Sequence, residues 1–181
     1  AGLADVVEET LARSGRLLFP LDEAPAAVAD DGDLIRLLHA GEGVLARTRA
    51  VIKIQDGCNH FCSFCIIPFA RGRLTSRPPA EVLREARVLA GMGYRELVLT
   101  GICIGDYGDE KGFERGHRDP LALLLEELAA IPGIERLRLS SVDPADVSDD
   151  LLATMAAVPQ VCPHLHLSLQ AGDEEVLRRM R

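Results

Sequence analysis

From residue 50 onward, strand-like and helix-like segments alternate, and this alternation restricts the possible folds more than any other feature. Apolar, β-prone runs predict strands at 50–54, 96–100, 136–140 and 164–169. Helices are expected at 79–90, 120–130, 149–156 and from 173 to 180. In the first of these, Val82, Leu83, Ala86 and Leu89 share a face, and Gly91 follows it. Asp119 and Pro120 open the second as N-cap and first-turn proline, and Ser148 caps the third. A strict β-α-β-α order implies parallel strands joined by right-handed crossovers, so the fold class is α/β. Four such units do not close a barrel. The expectation is a partial (βα) barrel whose last strand, 164–169, is an edge. The chain starts at Ala1 and stops at Arg181 inside a helical stretch, which suggests a fragment of a longer protein. In parallel barrels the chemistry collects at the C-terminal ends of the strands. Those ends are 55–73, 101–108, 140–143 and 170–172.

The first 49 residues are different. They are rich in alanine and acidic residues, with short helices expected at 5–13 and 33–40 and loops at Pro20, Pro25 and Asp30-Asp31-Gly32. They carry no chemistry-bearing cluster and read as a helical or linker tail, with the core domain beginning at 50. Over the whole chain 20 basic residues face 28 acidic ones, a net charge of −8, so charge alone does not hold it to nucleic acid. No apolar run reaches the ~18–20 residues of a membrane span. Five cysteines in 181 residues is a poor match to a secreted disulfide scaffold.

Three of those cysteines, Cys58, Cys62 and Cys65, form C-x3-C-x2-C straight after the first strand. Three thiolates so spaced can wrap one metal centre. Zinc normally takes four closed ligands, which here would require His60, cramped between two of the cysteines. An iron–sulfur cluster normally takes four cysteines, and three would leave one iron open to a substrate or cofactor. The first alternative describes a zinc-stabilised binding module, the second an enzyme. Cys103 lies at the chemically active end of the second strand. Cys162 precedes the fourth strand and reads as a packing residue.

The residues around the cysteines carry a resemblance. C-x3-C-x2-C with Phe64 before the third cysteine resembles the signature of radical S-adenosylmethionine enzymes. The block Gln55-Asp-Gly-Cys-Asn-His-Phe-Cys-Ser-Phe-Cys-Ile-Ile-Pro-Phe-Ala-Arg-Gly72, with Ser76-Arg77-Pro78, resembles the methylthiotransferases more narrowly. So do Leu99-Thr-Gly-Ile102 with Asp106-Tyr-Gly108, and His164-Leu-His-Leu-Ser-Leu-Gln-Ala-Gly172. The stretch from Leu99 to Gly108, with Arg138-Leu-Ser-Ser-Val-Asp-Pro144, is most similar to the branch acting on threonylcarbamoyladenosine beside a tRNA anticodon. Another branch modifies a ribosomal-protein aspartate. Cys103 departs from the histidine or asparagine expected in the first branch.

This resemblance implies a radical-SAM barrel in which Cys58, Cys62 and Cys65 hold a [4Fe-4S] cluster and its open iron binds S-adenosylmethionine. One-electron cleavage of that cofactor would generate a radical, sulfur would be inserted at the target carbon, and a second cofactor molecule would supply the methyl group. Phe64 would pack near the adenine, and Gly101 would let backbone approach the methionine part. Ser140, Ser168 and Gln170 would hydrogen-bond the cofactor. The partners implied are a tRNA and a one-electron reductant, with no membrane. Arg71, Arg73 and Arg77, with Lys53, face Asp56 alone across residues 51–80, a basic stretch suited to phosphate. The family also has an N-terminal domain with three cysteines for a second [4Fe-4S] cluster, further barrel strands and an RNA-binding β-barrel, none matched here. Clusters of this kind and unpaired cysteines suit a reducing cytoplasm.

Overall fold

The computed structural model describes residues 49–109 and 118–180. The helices expected in the first 40 residues lie outside these, as does nearly all of the tail assigned to 1–49. Strand β1 (Arg49–Lys53) runs through β2 (Gln55–Asp56) into the cysteine loop. That loop contains a short helix, α1 (Ile67–Ala70), and returns as β3 (Thr75–Ser76). Next come α2 (Pro79–Gly91), β4 (Glu96–Thr100), a 3-10 turn at Ile104–Asp106 and α3 (Pro120–Ala129). The remainder is β5 (Arg136–Leu139), β6 (Ser141–Val142), a 3-10 turn at Pro144–Asp146, α4 (Asp149–Ala157), β7 (His166–Leu167) and α5 (Glu174–Met180).

The alternation has the expected consequence. β1, β4 and β5 are parallel neighbours in that order, with Ala50, Leu97 and Leu137 in one row and Ile52, Leu99 and Leu139 in the next. All six are buried, against Val82, Ala86 and Leu89 of α2, Leu121, Leu124, Leu125 and Leu128 of α3, and Leu151 of α4. Each such leucine, isoleucine or valine contributes about 1.5–3 kcal/mol by leaving water, the alanines less, and together they form the core. The helices start where their caps place them. Asp119 accepts the backbone N–H groups of Leu121 and Ala122 at 2.8 and 3.4 Å, and Ser148 accepts that of Leu151 at 3.0 Å. The other sheet face is mixed, with Arg49, Val51 and Lys53 on β1, Glu96 and Val98 on β4, and Arg136 and Arg138 on β5.

Two expectations need correction. The strand placed at 136–140 breaks at Ser140, so that β5 pairs with β4 while β6 pairs with β7, both in parallel. The fourth strand is two residues long, not the six of 164–169. Pro163 cannot donate to a ladder, and the His164 N–H turns back to Cys162 O at 2.7 Å, so pairing starts late. It stops early because Gln170 takes the left-handed conformation at φ 62°. Both residues of β7 are exposed, as expected of an edge.

Candidate functional site

The cysteine loop leaves and re-enters the sheet through a two-residue antiparallel ladder, Gln55 with Ser76 and Asp56 with Thr75. Gly57 turns out of it at φ 70°, and a Cβ there would stand 2.0 Å from Arg73 O, so only glycine permits the crossing. The Cys58 N–H then donates to Gly72 O at 3.3 Å, and Asn59 Oδ1 accepts the Leu74 N–H at 3.2 Å. Further along, the Ser63 N–H and hydroxyl donate to Met180 O and Arg179 O, both at 2.9 Å, filling carbonyls that the last turn of α5 leaves open.

Gln55 ties this loop to the end of β4. It is 1% exposed. Its Oε1 accepts the N–H groups of Ile102 and Cys103 at 2.8 and 2.9 Å, and its Nε2 donates to Gly57 O and Asp56 O at 2.6 and 2.9 Å. Gly101 lies against it: a Cβ at Gly101 would meet Gln55 Oε1 at 2.6 Å. The missing side chain of Gly101 thus makes room for Gln55. Gln55 was not legible from spacing alone, although a lone amide ending an apolar strand before Asp-Gly-Cys is a usable signal.

Cys58, Cys62 and Cys65 are free and half-buried, and line one cavity of about 610 Å³ at the C-terminal ends of the strands. Phe64, Cys103, Ser168 and Gln170 line it too. Gly101 and Ser140 do not, although Ser140 Oγ is buried with no hydrogen-bond partner among the described residues. Phe64 is 59% exposed, a platform without a lid. Burial pushes the Cys58 thiol above its ordinary pKa.

Among the described residues, two groups have ligand atoms all within 4.8 Å of one another: Cys58, His60 and Cys103; and His60, Cys103, Asp106 and Asp146. Cys58, Cys62 and Cys65 do not form such a group. A single tetrahedral zinc would set its sulfurs about 3.8 Å apart. Thiolates bound to separate irons stand wider, so three sulfurs on one cavity, more loosely spaced, fit a cluster. His60 groups with Cys58 and Cys103, not with the full cysteine trio, and its Nε2 meets Asp106 Oδ2 at 2.8 Å.

Beside the cysteines the charges crowd. Cys103 Sγ lies 3.9 Å from His60 Nε2 and 3.4 Å from Asp146 Oδ2. Burial, then the charges of Asp106 and Asp146, push the Cys103 thiol far above its usual range. Burial and the neighbouring Asp106 likewise raise the Asp146 carboxyl. These residues come from three strand-end loops, which is why spacing along the chain did not reveal them.

The basic stretch is mostly paired internally. Lys53 and Arg71 both face Asp56, Arg71 at 3.8 Å. The Lys53 contact comes first among the causes that hold the Asp56 carboxyl below the usual carboxylate range. Arg77 donates to Glu85 at 2.7 Å and to Lys53 O at 2.8 Å, which binds it to α2. Arg73 is exposed and makes no ion pair with a described carboxylate. Among the described residues, no helix is long and apolar enough to cross a membrane.

Comparison with known proteins agrees with this geometry. The chain is 48% identical over 143 residues to the threonylcarbamoyladenosine tRNA methylthiotransferase MtaB of Chlamydia pneumoniae, covering 79% of this chain and 32% of that one. It is 46% identical over 132 residues to the tRNA-2-methylthio-N(6)-dimethylallyladenosine synthase of Dictyoglomus thermophilum, covering 73% and 29%. The chain therefore spans about a third of the length of these curated relatives. In fold it is similar to the radical S-adenosylmethionine methyltransferase TsrM of Kitasatospora setae, with a TM-score of 0.55 and 23% identity over 71% of this chain and 23% of that one. The model of the radical SAM superfamily matches residues 52–181. By that match, and with three cysteines on one cavity at the strand ends, the chain belongs to the radical SAM superfamily, whose members use a cysteine-held [4Fe-4S] cluster and S-adenosylmethionine.

Proposed function

We propose that this chain is the first part of the core domain of a tRNA methylthiotransferase, acting on threonylcarbamoyladenosine next to the anticodon. The observation that carries this reading is the convergence of Cys58, Cys62 and Cys65 on one strand-end cavity, in a sequence 48% and 44% identical to two enzymes named for that reaction. In this reading the three thiols hold the cluster, which supplies the electron and the open coordination position for S-adenosylmethionine. The chain's own residues do the rest. Gln55 keeps the cysteine loop and the Ile102–Cys103 turn in fixed relation through four hydrogen bonds. Phe64 offers its exposed ring to the adenine, and Ser168 and Gln170 offer polar atoms from the opposite wall. Gly101 serves the site by admitting Gln55, and Ser140 by keeping an unpaired hydroxyl next to the sheet break. A low-potential one-electron reductant is required. Arg73 and Arg71 are the stretch's contribution to RNA contact, while Arg77 is held to α2 by Glu85.

The test uses the full-length parent in its cell. Nucleoside mass spectrometry of tRNA from a strain lacking it should show threonylcarbamoyladenosine without its methylthio group. Loss of the methylthio group from dimethylallyladenosine instead, or from a ribosomal-protein aspartate, would overturn the assignment of substrate.

A further inference from the structure

The second group of crowded donors is not used by the cluster. His60 Nε2, Cys103 Sγ and one carboxylate oxygen each from Asp106 and Asp146 all lie within 4.8 Å of one another. They comprise one nitrogen, one sulfur and two oxygens, each from a separate side chain. A tetrahedral zinc ion with ordinary bond lengths separates such atoms by about 3.3–3.6 Å. The contacts here are 2.8 Å for His60 to Asp106, 3.4 Å for Cys103 to Asp146 and 3.9 Å for Cys103 to His60. Those edges need shifts of roughly half an ångström, within the reach of side-chain rotation about such a centre.

We propose that His60, Cys103, Asp106 and Asp146 form a mononuclear site for a borderline divalent cation of the zinc class, next to the cysteine-held cluster. The ligand types favour this class: imidazole and thiolate suit zinc or ferrous iron, whereas calcium and magnesium take oxygen alone. Charge favours it as well. Two carboxyl groups and a thiol share the space with a single imidazole, and a divalent ion compensates the carboxylates and the thiolate that forms when it binds. Binding releases the Cys103 thiol proton to solvent. Four protein ligands leave no open position, which marks a structural centre, not a catalytic one. The ion would pin three strand-end loops together: the cysteine loop through His60, the turn after β4 through Cys103 and Asp106, and the turn after β6 through Asp146. Cys58 stands against His60 and Cys103 but is committed to the cluster, so the two centres share a wall and no ligand.

The experiment uses the whole chain carrying Cys58→Ala, Cys62→Ala and Cys65→Ala, so that no cluster competes, titrated anaerobically with cobalt(II) alone. The expected result is one ion per chain, with thiolate-to-cobalt absorption in the near ultraviolet and the visible bands of a tetrahedral ion. Adding Cys103→Ser should abolish the ultraviolet band, and adding Asp146→Asn should weaken binding at least tenfold. No cobalt bound by a variant whose circular dichroism matches the unmodified chain would overturn the proposal, as would bands that survive Cys103→Ser. Should the triple variant not fold, the unmodified chain is reconstituted with iron and sulfide, then supplied with zinc. One zinc beside about four irons, falling to none in Cys103→Ser while the irons stay, is the expected result. Equal zinc in the two proteins, or none in either, would overturn it.

Discussion

The two ends of the same parallel strands are built differently. At the N-terminal end Glu96 is buried and surrounded by cations: Arg136 Nε at 2.8 Å, Arg138 Nε at 3.1 Å and Arg49 at 3.9 Å. These partners, Arg136 first, outweigh burial and hold its carboxyl below the ordinary range. At the C-terminal end like meets like: Cys103, Asp106 and Asp146 crowd together, and burial raises both the Cys103 thiol and the Asp146 carboxyl. Phe61 and Gln170 take left-handed backbone conformations there, and Phe64 and Phe69 stand exposed at 59% and 74%. One end surrounds its buried carboxylate with arginines, while the other sets a thiol and two carboxyl groups side by side with one imidazole. The first end carries the arginine–carboxylate pairs, and the second carries the cavity on which the cysteines converge.

The sharpest way to break this contrast is to empty the reactive end. Replacing Cys58, Cys62 and Cys65 with alanine should reduce iron after reconstitution from about four per chain to none, while circular dichroism keeps its helical signal. Iron retained by that variant would place the cluster elsewhere. Gly57→Ala is the next largest. It forces a Cβ into Arg73 O and into a left-handed conformation, at a cost of about 3 kcal/mol or more, and should show as a lower urea midpoint together with lost iron. Gln55→Leu keeps the volume and removes four hydrogen bonds. It leaves the Ile102 and Cys103 N–H groups without their acceptor, at a cost of about 2–4 kcal/mol. A midpoint unchanged by Gln55→Leu would contradict the joint described between loop and β4.

Glu96→Gln probes the other end and should have the smallest effect, about 1 kcal/mol, because two of its three arginine partners are more than half exposed to solvent. Its pH dependence has a definite sign. A carboxyl held below its ordinary value contributes stability above that value and loses it as pH falls. The gap between native protein and Glu96→Gln should therefore be full near neutrality and close as pH drops below about 4.5, as read from urea midpoints across that range. A gap that does not narrow between pH 5 and pH 3 would mean that the ion pairs do not support the strands.

Much of this contrast was legible in the chain. β-branched runs and caps such as Asp119 and Ser148 are local, and local rules placed them correctly. The cysteine spacing located the reactive loop for the same reason. What escaped was non-local. Gln55 matters because β4 ends beside it, and Asp106 and Asp146 matter because two different turns bring them to His60 and Cys103. No periodicity along the chain encodes that meeting. The fourth strand was overestimated for a mixed reason: 164–169 is β-prone in composition, but Pro163 and the left-handed Gln170 bracket it, and only the backbone shows the second.

The measurement that goes most directly to the centre of this reading is anaerobic reconstitution of the chain with iron and sulfide. Iron is counted, and electron paramagnetic resonance spectra of the reduced protein are taken with and without S-adenosylmethionine. About four irons per chain, with a signal that shifts when the cofactor is added, is the expected result for three cysteines holding an open-site cluster at the strand ends. A chain that retains zinc at Cys58, Cys62 and Cys65 and takes up no iron would contradict it.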